Sequence, residues 1–332
     1  MRAVATPGRW IWALSGLITT VALVAPGIRL ILKAGQADNV QPQSTATQTV
    51  TVPQPVTSLT VQSYGAPVEV TAAPVRHVRI TETIAYDSQA GPVSASPAGA
   101  QSAPGGPLSG VPAVEQSVSD GRLSLADPAC EMSNCSVSFA VTVPPDVTAT
   151  VTTQGGPITV SGIAGANLDS GGGPVSATTI SGPLTVSTGG GSLTLDGLAG
   201  PLSADTGGGP LSARDIAATT ATVITGGGDA SVTFAAAPDS VTMSTDGGPA
   251  RLVVPGGPYQ LNATSDGGGP QSVGIATDPA AHRSITVITG GGPLVIEPAG
   301  PLPARAGRAG RAAGGGPAAG REVAPGRRGR GA

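Results

Sequence analysis

Large and charged side chains are scarce in this chain of 332 residues. Aromatic residues make up 2% of the sequence, charged residues make up 11%, and Lys33 is its single lysine. This scarcity excludes a thick globular core and predicts a thin one of Val, Leu, Ile and Ala, renewed in each repeat. It also argues against nucleotide binding, because phosphate-binding loops pair their glycines with a Lys-Ser or Lys-Thr motif at a helix start.

Cysteine is nearly absent as well. Cys130 and Cys135 are too few for a four-cysteine zinc site, and both His77 and His282 lie far away in sequence. The Cys-x-x-Cys spacing of a redox dithiol is also missing. We therefore predict a disulfide between Cys130 and Cys135, which implies an oxidising compartment.

The N-terminus contains the one long uncharged apolar run. It extends from Trp10 to Ile28 and is flanked by Arg9, Arg29 and Lys33. Its 19 residues would span roughly 28 Å as a helix, enough to cross the hydrocarbon layer. We predict a single-pass transmembrane anchor over residues 10–32 that binds the lipid bilayer, with the body of the protein outside the cell. The alternative is a cleaved signal peptide and a secreted protein.

Charge is segregated along the chain. Residues 34–298 carry six arginines and 19 acids, whereas residues 299–332 carry seven arginines and one acid. The tail lacks apolar periodicity, so we expect it to be disordered. It is either a solvated tail without a partner or a segment that binds an anionic polymer. No specific nucleic-acid binding is expected.

A recurring glycine phrase organises the rest of the sequence. A small polar residue precedes two or three glycines, usually followed by proline, and the runs start at 155, 171, 189, 207, 226, 247, 267 and 290. One such unit cannot bury its apolar face alone. We therefore predict an all-β fold, a β-solenoid (β-helix-like) repeat array of strand–turn–strand–turn units. A β-sandwich or an antiparallel meander fits the same local pattern.

The turn residues and the alternation of the strands give further expectations. Glycine suits positive φ in tight turns, and proline suits positions that need no ladder donor. Alternation places the Thr and Ser between the inward residues outside and, in the first half, Val78, Ile80 and Ile84 inside. In the array the predicted inward residues are Val160, Leu184, Val186, Leu193, Leu195, Leu202, Leu211, Val223, Val232, Phe234, Val241, Met243, Leu252, Val254, Leu261, Val273, Ile275, Val287, Leu294 and Ile296.

These patterns divide the chain into six segments. The predicted segments are a cytoplasmic N-terminus (1–9), the anchor (10–32), a flexible stalk (33–58), an N-terminal β region (59–147) with an insertion loop (87–120), the Gly-rich array (148–297) and the tail (298–332).

Acids near the turns suggest two kinds of chemistry, calcium binding and glycan cleavage. Acids lie just before several glycine runs, and hard cations prefer such oxygens, but the array does not match the nine-residue period of calcium-binding repeats. We interpret these acids as caps of their own turns. We predict no catalytic, cofactor-binding or metal-binding residue, and we expect His77 and His282 to be exposed strand or loop residues. The acids are Asp169, Asp205, Asp246 and Asp266.

Four features in order resemble a known family. They are the Trp-bearing N-terminal anchor, the segment from Cys130 to Pro145, the unit at residues 151–165 and the later Gly-rich strand pairs. Over residues 59–297 the chain resembles the bacterial putative-adhesin family of β-strand-repeat proteins, as a membrane-anchored, actinobacterial-type member. The resemblance implies surface adhesion and brings no functional residues with it. Relatives usually have Ser-Gly-Asp at the turn, where this chain has Gly-Gly-Pro.

Three functions follow as hypotheses. The first is a non-enzymatic, membrane-anchored cell-surface protein whose β-repeat stack presents a Thr/Ser-rich face to a protein or glycan partner. The second is a glycan-processing β-solenoid enzyme, which the shortage of aromatic and clustered acidic residues disfavours. The third is an envelope-stress or signalling accessory protein.

Overall fold

A computed structural model describes residues 28–29, 43–87, 114–127 and 135–300. These residues form β-strands, turns and bends without any helix, so the all-β prediction is confirmed. The strands are β1 (Ile28–Arg29), β2 (Gln43–Val52), β3 (Ser58–Ser63), β4 (Val68–Ala72), β5 (Val78–Asp87), β6 (Glu115–Ser119), β7 (Arg122–Ala126), β8 (Cys135–Val143), β9 (Thr148–Thr153), β10 (Ile158–Ser161), β11 (Gly165–Ser170), β12 (Val175–Ile180), β13 (Leu184–Thr188), β14 (Leu193–Leu198), β15 (Leu202–Thr206), β16 (Leu211–Ile216), β17 (Thr220–Thr225), β18 (Ala230–Phe234), β19 (Ser240–Thr245), β20 (Ala250–Val254), β21 (Gln260–Ser265), β22 (Gln271–Val273), β23 (Ser284–Thr289) and β24 (Leu294–Pro298).

The strands form two large, mostly parallel sheets. Sheet A has the order β1-β2-β5-β8-β4-β10-β12-β14-β16-β18-β20-β24-β22, and sheet B has the order β21-β23-β19-β17-β15-β13-β11-β9-β3-β7-β6. From β9 to β20, successive strands alternate between the sheets, so each repeat, here called a coil, adds one strand to each. Neighbouring coils pair in parallel: Val160 lies opposite Ala177, and Ala177 lies opposite Leu195. This parallel pairing is not that of an antiparallel meander.

The core lies between the sheets and is as thin as the composition predicted. Each strand of the array from β9 to β20 alternates buried and accessible residues, apart from irregular positions near strand ends. Most of the predicted inward residues are buried, as are Val78, Ile80 and Ile84. Three are not: Leu261 and Ile275 are half-buried, and Val273 is 42% exposed.

Those three exceptions belong to the coil that ends the stack. Val273 lies opposite the buried Ile296, so its register is that of a core residue. Leu261 likewise lies opposite the buried Ile285. Their exposure follows from position, because each has a neighbouring coil on one side only.

The coils are not stacked in chain order at the two ends. At the C-terminal end, β23 lies between β19 and β21, and β24 lies between β20 and β22. The coil built from β21 and β22 is therefore outermost, although β23 and β24 follow it in sequence. At the other end, β3 lies between β7 and β9, and β4 lies between β8 and β10.

Two predicted irregular segments contain strands. Part of the expected flexible stalk at 33–58 forms the ten-residue strand β2, which pairs antiparallel with β5 along its full length. Its Thr and Val residues supply the β propensity that its Gln and Ser residues obscured. The expected insertion loop at 87–120 ends in β6, which forms a hairpin with β7, and its first residue, Asp87, ends β5.

The predicted N-terminal anchor lies almost wholly outside the described residues. Ile28 and Arg29, its two described members, form β1 and pair antiparallel with Thr47 and Gln48 instead of continuing a helix. Within the described ranges no helix is long and apolar enough to cross a membrane. The predicted tail, except for its first residues, also falls outside them.

A left-handed residue recurs near the end of four sheet A strands. Gly162, Thr179, Gly197 and Asp215 have φ values of 77°, 56°, 67° and 52°. Each comes directly before a buried apolar residue. The positive φ interrupts the regular alternation of the strand. The next side chain therefore points into the core, at the corner opposite the glycine runs.

Candidate interaction surface

The glycine runs form one corner of the stack, here called the glycine corner, where the chain passes from sheet B to sheet A. The last glycine of each run lies against the backbone of the neighbouring coil. A Cβ atom added at Gly191 would overlap the carbonyl oxygen of Gly173, and one added at Gly209 would overlap that of Gly191. Close approach between coils, rather than backbone conformation, therefore requires these glycines.

The positive φ expected of glycines in tight turns is found at only a few of these positions. Within the glycine phrases from 155 to 292, the described turns place Gly257, Gly268 and Gly291 in that region, whereas the glycines at 171–173, 189–191 and 207–209 have ordinary φ values. The proline that follows a run contributes its carbonyl to the neighbouring coil: Pro174 accepts a hydrogen bond from the amide of Ile158 at 3.0 Å, and Pro210 accepts one from Leu193 at 2.9 Å.

A buried column of hydroxyl groups supports the glycine corner. Each member ends a sheet B strand, points inward and lies in register with the member in the next coil. This hydroxyl ladder consists of Ser63, Thr153, Ser170, Thr188, Thr206, Thr225, Thr245, Thr289 and the half-buried Ser265.

The ladder hydroxyls hold the glycine runs by hydrogen bonds. Thr206 Oγ1 donates to the carbonyl of Gly209 at 2.8 Å, and Thr245 Oγ1 donates to that of Gly248 at 2.6 Å. Thr188 Oγ1 accepts from the amide of Gly191 at 3.1 Å. The Thr and Ser predicted to face solvent are those between the inward residues, such as the exposed Thr185 and Ser187; the ladder hydroxyls continue the inward side and are buried. The recurrence of Ser or Thr ahead of every run was the sequence feature that could have revealed it.

Asp127 takes the ladder position next to Ser63, at the end of β7. Its carboxylate accepts hydrogen bonds from Ser63 Oγ at 3.4 Å and from the amide of Tyr64 at 3.2 Å. Burial raises the pKa of Asp127, while the hydrogen bonds from the Tyr64 backbone and Ser63 act in the opposite direction. A carboxylate here performs the same turn-capping task as the hydroxyls.

The outer face of sheet B carries mostly small polar side chains, with two exposed isoleucines, in straight columns. Adjacent members lie about 4.8 Å apart, the spacing of neighbouring strands. One column, here called the outer hydroxyl column, consists of Thr150, Asn167, Thr185, Ser203, Thr222, Thr242 and Thr286. The next contains Thr152, Asp169, Ser187, Asp205, Ile224, Ser244 and Ile288.

The two outer faces differ in accessibility. The first six members of the outer hydroxyl column are all exposed, whereas the matching column of sheet A contains the exposed Thr159 and Thr194 and the half-buried Ser176, Ser212 and Ser231. Both faces carry charged side chains: sheet A has an ion pair in which Arg251 donates to Glu297 at 2.8 Å, and sheet B has Asp169 and Asp205. Sheet B is therefore the better candidate for contact with a partner.

The turn acids do not converge. Asp169 and Asp205 share a column with Ser187 between them, so their strands are about 10 Å apart. Asp246 and Asp266 lie at a different position, directly at the glycine corner, separated by the coil of β23. The described part of the chain holds no group of three His, Cys, Asp or Glu residues able to bind a metal ion.

The histidines and cysteines are widely placed. His77 and His282 are both exposed, the first next to β5 and the second next to β23, near opposite ends of the stack. Cys135 begins β8, while Cys130 lies outside the described residues. The disulfide between them stays a prediction.

A shallow cavity on the β6–β7 hairpin is small and polar. Its volume is about 240 Å³, and it is lined by Ser117, Ser119, Asp120, Arg122 and Ser124. Small-molecule sites are usually larger and mostly apolar. This cavity thus adds polar surface to the end of sheet B without the features of a ligand pocket.

Glu82 is a buried acid that was not among the residues predicted to face the core. It occupies a core-facing position of β5 between Ile80 and Ile84, opposite Phe139 of β8, and is 4% exposed. Desolvation raises the pKa of its carboxyl to about 7. The alternation that placed Ile80 and Ile84 inside had already placed Glu82 there.

This chain matches none of the curated proteins. It is similar to solved structures of adhesion proteins. A crystal structure of a putative adhesin from Bacteroides fragilis is 13% identical, with 77% of this chain and 97% of that chain covered and a TM-score of 0.39. A putative cell adhesion protein from Clostridium sporogenes is 9% identical, with 77% and 100% covered and a TM-score of 0.24. Residues 109–258 match the family described as "Putative auto-transporter adhesin, head GIN domain", so the resemblance to putative adhesins predicted from the sequence is confirmed.

Proposed function

We propose that the two-sheet stack is a β-solenoid that works at the cell surface as a non-enzymatic, adhesin-like interaction module. The observation that carries this proposal is the outer face of sheet B, where one small polar side chain per coil repeats in register. The adhesin family of residues 109–258 supports a surface role.

The chemistry of this face fits an extended partner. Each hydroxyl can both donate and accept a hydrogen bond. A single such bond contributes only about 0.5–1.5 kcal/mol net, so one site would bind weakly. A row of identical sites lets many weak contacts act together once the first has formed. The partner is therefore a protein or glycan surface with repeating hydroxyl or amide groups.

Paired substitutions on the two faces test the assignment. In the variant Thr185→Lys/Thr222→Lys, two long cations disrupt the outer hydroxyl column. The matched control, Thr159→Lys/Thr194→Lys, changes two equally exposed threonines on sheet A. Cells carrying the full chain are tested for retention on a panel of immobilised glycans and proteins. We expect the sheet B variant to lose at least about tenfold in retention, since the charges remove complementarity, and the control to adhere like wild type.

Two results would contradict the proposal. Equal retention by both variants would remove sheet B as the contact face. Release of reducing ends from a polysaccharide by the purified protein would replace the non-enzymatic module with the glycan-processing alternative.

We also propose that residues 10–32 anchor the chain in the membrane with its body outside the cell, the alternative being secretion after cleavage. The support is the uncharged apolar run from Trp10 to Ile28, between basic residues. The disulfide predicted between Cys130 and Cys135 fits the same location, because disulfides persist in oxidising compartments.

A further inference from the structure

Two exposed isoleucines interrupt the polar outer face of sheet B. Ile224 is 42% exposed and Ile288 is 37% exposed, although β17 and β23 each have a neighbouring strand on both sides. Their exposure therefore does not come from a missing coil, unlike that of Val273. Both occupy positions at which the alternation of the strand directs the side chain to solvent. An apolar side chain at such a position is stabilised only when something outside the fold covers it.

The two isoleucines lie in one column of the face. Ile224 is in register with Ser244, and Ser244 is in register with Ile288. Two strand spacings, about 10 Å, therefore separate the isoleucines. The next column places one threonine in each of the same three strands, and each threonine carries a methyl group. These six residues are here called the isoleucine patch, whose threonines are Thr222, Thr242 and Thr286.

Acids without basic neighbours flank the isoleucine patch. Asp205 lies opposite Ile224 in the neighbouring strand. Asp246 directly follows β19, Asp266 directly follows β21, and both are exposed. The strands of sheet B from β9 along the sheet to β21 contain no Lys or Arg. Because no ion pair among the described residues involves these three acids, their negative charge is uncompensated.

Charged residues on sheet A are arranged differently. There Asp196 lies opposite Arg214 in register, and Arg251 forms its ion pair with Glu297. These acids have basic neighbours within the chain, whereas the acids beside the isoleucine patch require cations from a partner. Complementary charge selects partners and excludes others. A second copy of this chain, meeting patch to patch, would bring acids against acids, and an anionic lipid surface would be repelled in the same way.

We propose, on the basis of the function proposed above, that the isoleucine patch docks a basic amphipathic helix of a partner protein. A helix laid along the stack crosses successive strands, and its turns repeat about every 5.4 Å, close to the strand spacing of about 4.8 Å. One apolar side chain per turn then meets the column of Ile224, Ser244 and Ile288. Lys or Arg side chains beside that apolar stripe lie next to Asp246 and Asp266.

Other extended partners fit the patch less well. A β-strand running along the stack places its like-facing side chains about 7 Å apart, which matches neither one strand spacing nor two. A neutral glycan supplies no cation for the acids. The helix satisfies spacing and charge together, with an apolar stripe for the isoleucines and basic flanks for the carboxylates.

A binding measurement with a synthetic peptide tests the proposal. The probe is a helical peptide with a leucine stripe between two rows of lysine. The full chain is held in lipid nanodiscs, and empty nanodiscs serve as the blank. We expect Ile224→Thr/Ile288→Thr to bind at least about tenfold more weakly than wild type, because the stripe loses its apolar contact. The matched control, Val253→Thr/Val295→Thr, changes two outward, half-buried valines of sheet A and should bind like wild type.

A second pair of variants tests the charges. Asp246→Asn/Asp266→Asn should also bind at least about tenfold more weakly, and its binding should depend less on salt than that of wild type. Glu69→Gln/Asp196→Asn removes the same net charge from exposed positions of sheet A and should bind like wild type. Melting temperatures should match wild type in all four variants, because none of the changed side chains belongs to the core.

Several results would overturn the docking of a helix. One is a wild-type chain that binds the peptide no better than empty nanodiscs do, or that binds a scrambled peptide of equal composition as well. Another is equal binding by wild type and Ile224→Thr/Ile288→Thr. These results are distinct from failure of the proposed surface role, which is measured by the retention of cells on the glycan and protein panel.

Discussion

At the scale of single residues, the buried hydroxyl ladder shows how a stack with few large side chains fixes its geometry. Glycine has no side chain that could donate a hydrogen bond, so the carbonyls at the glycine corner need donors from other residues. The ladder provides them: Thr225 Oγ1 donates to Gly228 O at 2.8 Å, and Thr289 Oγ1 donates to Gly292 O at 2.8 Å. An unsatisfied buried carbonyl would cost far more than the net gain of an average hydrogen bond.

The hydroxyl of Thr206 tests this account. Thr206→Val keeps the shape of the side chain but leaves the carbonyl of Gly209 without its donor. We expect a loss of about 1–3 kcal/mol in the free energy of unfolding, measured by urea denaturation. Thr222→Val, which changes an exposed threonine in the next strand, should stay within about 0.5 kcal/mol of wild type. Equal changes in the free energy of unfolding at both positions would show that the buried hydroxyl stabilises the fold no more than an exposed one.

Glu82 gives the molecule a pH dependence with a defined sign. The pKa of its carboxyl rises from an ordinary value of 4.5 to about 7 on folding, because burial disfavours the charge. Between those two values the folded state keeps a proton that the unfolded state releases, so this group lowers stability as pH rises through that window. Above the folded pKa, the full cost of the buried charge is present.

The variant Glu82→Gln removes that cost. At pH 8 we expect it to be more stable than wild type by up to about 3 kcal/mol, since each unit of pKa corresponds to 1.36 kcal/mol. At pH 4 the two proteins should differ little, because the wild-type carboxyl is then protonated in both states. Urea denaturation of both proteins at each pH gives the comparison, and a pH-independent difference would contradict the assignment.

At the scale of the coil, the glycine runs contain two kinds of position. Gly191 packs against the backbone of the neighbouring coil, whereas a Cβ added at Gly190 would meet nothing within 4 Å. We expect Gly191→Ala to destabilise the protein by about 1–3 kcal/mol or more through overpacking. Gly190→Ala should be neutral or stabilising by up to about 1 kcal/mol, because alanine reduces the freedom of the unfolded chain. Thermal melting of both variants measures these effects. A higher melting temperature for Gly191→Ala than for Gly190→Ala would refute close packing at the corner.

The same corner shows what could be predicted from the sequence and what could not. The spacing of the runs and the alternation of Leu184 and Val186 predicted strands, turns and most of the core. They could not distinguish a glycine needed for its φ angle from one needed for close approach, because both demand the same residue. Thr185 and Thr188 are the same residue type in one strand, but two features distinguish them. Thr188 lies on the same side of the strand as the buried Leu184 and Val186, and it directly precedes a glycine run.

The ends of the stack were predicted less well than its middle. Val273 was expected in the core from alternation, which describes the side a residue faces and not whether another coil covers it. Likewise, the pairing of β2 with β5 joins residues 26 to 44 positions apart. No local pattern around Gln43–Val52 indicates that partner, so a stalk was expected where a strand exists.

At the scale of the whole molecule, the same reasoning links chemistry to location. The exposed columns of sheet B are built mostly from uncharged Thr, Ser and Asn side chains, with two acids and two isoleucines, Ile224 and Ile288. Such a surface uses hydrogen bonds over a long face rather than a single deep pocket, which is the arrangement an adhesive module requires. The adhesive role proposed for it requires that the stack lie outside the cell.

The oxidation state of the two cysteines tests that location. Protein isolated from intact cells is denatured without reductant, treated with an alkylating reagent and weighed by mass spectrometry. A body outside the cell should take up no alkyl group, because Cys130 and Cys135 are then joined, and should take up two after reduction. The same spectrum reports whether residues 1–28 are present, as a membrane anchor requires, or absent, as signal cleavage requires. Two alkyl groups without reduction would place the body in a reducing compartment and refute a surface function.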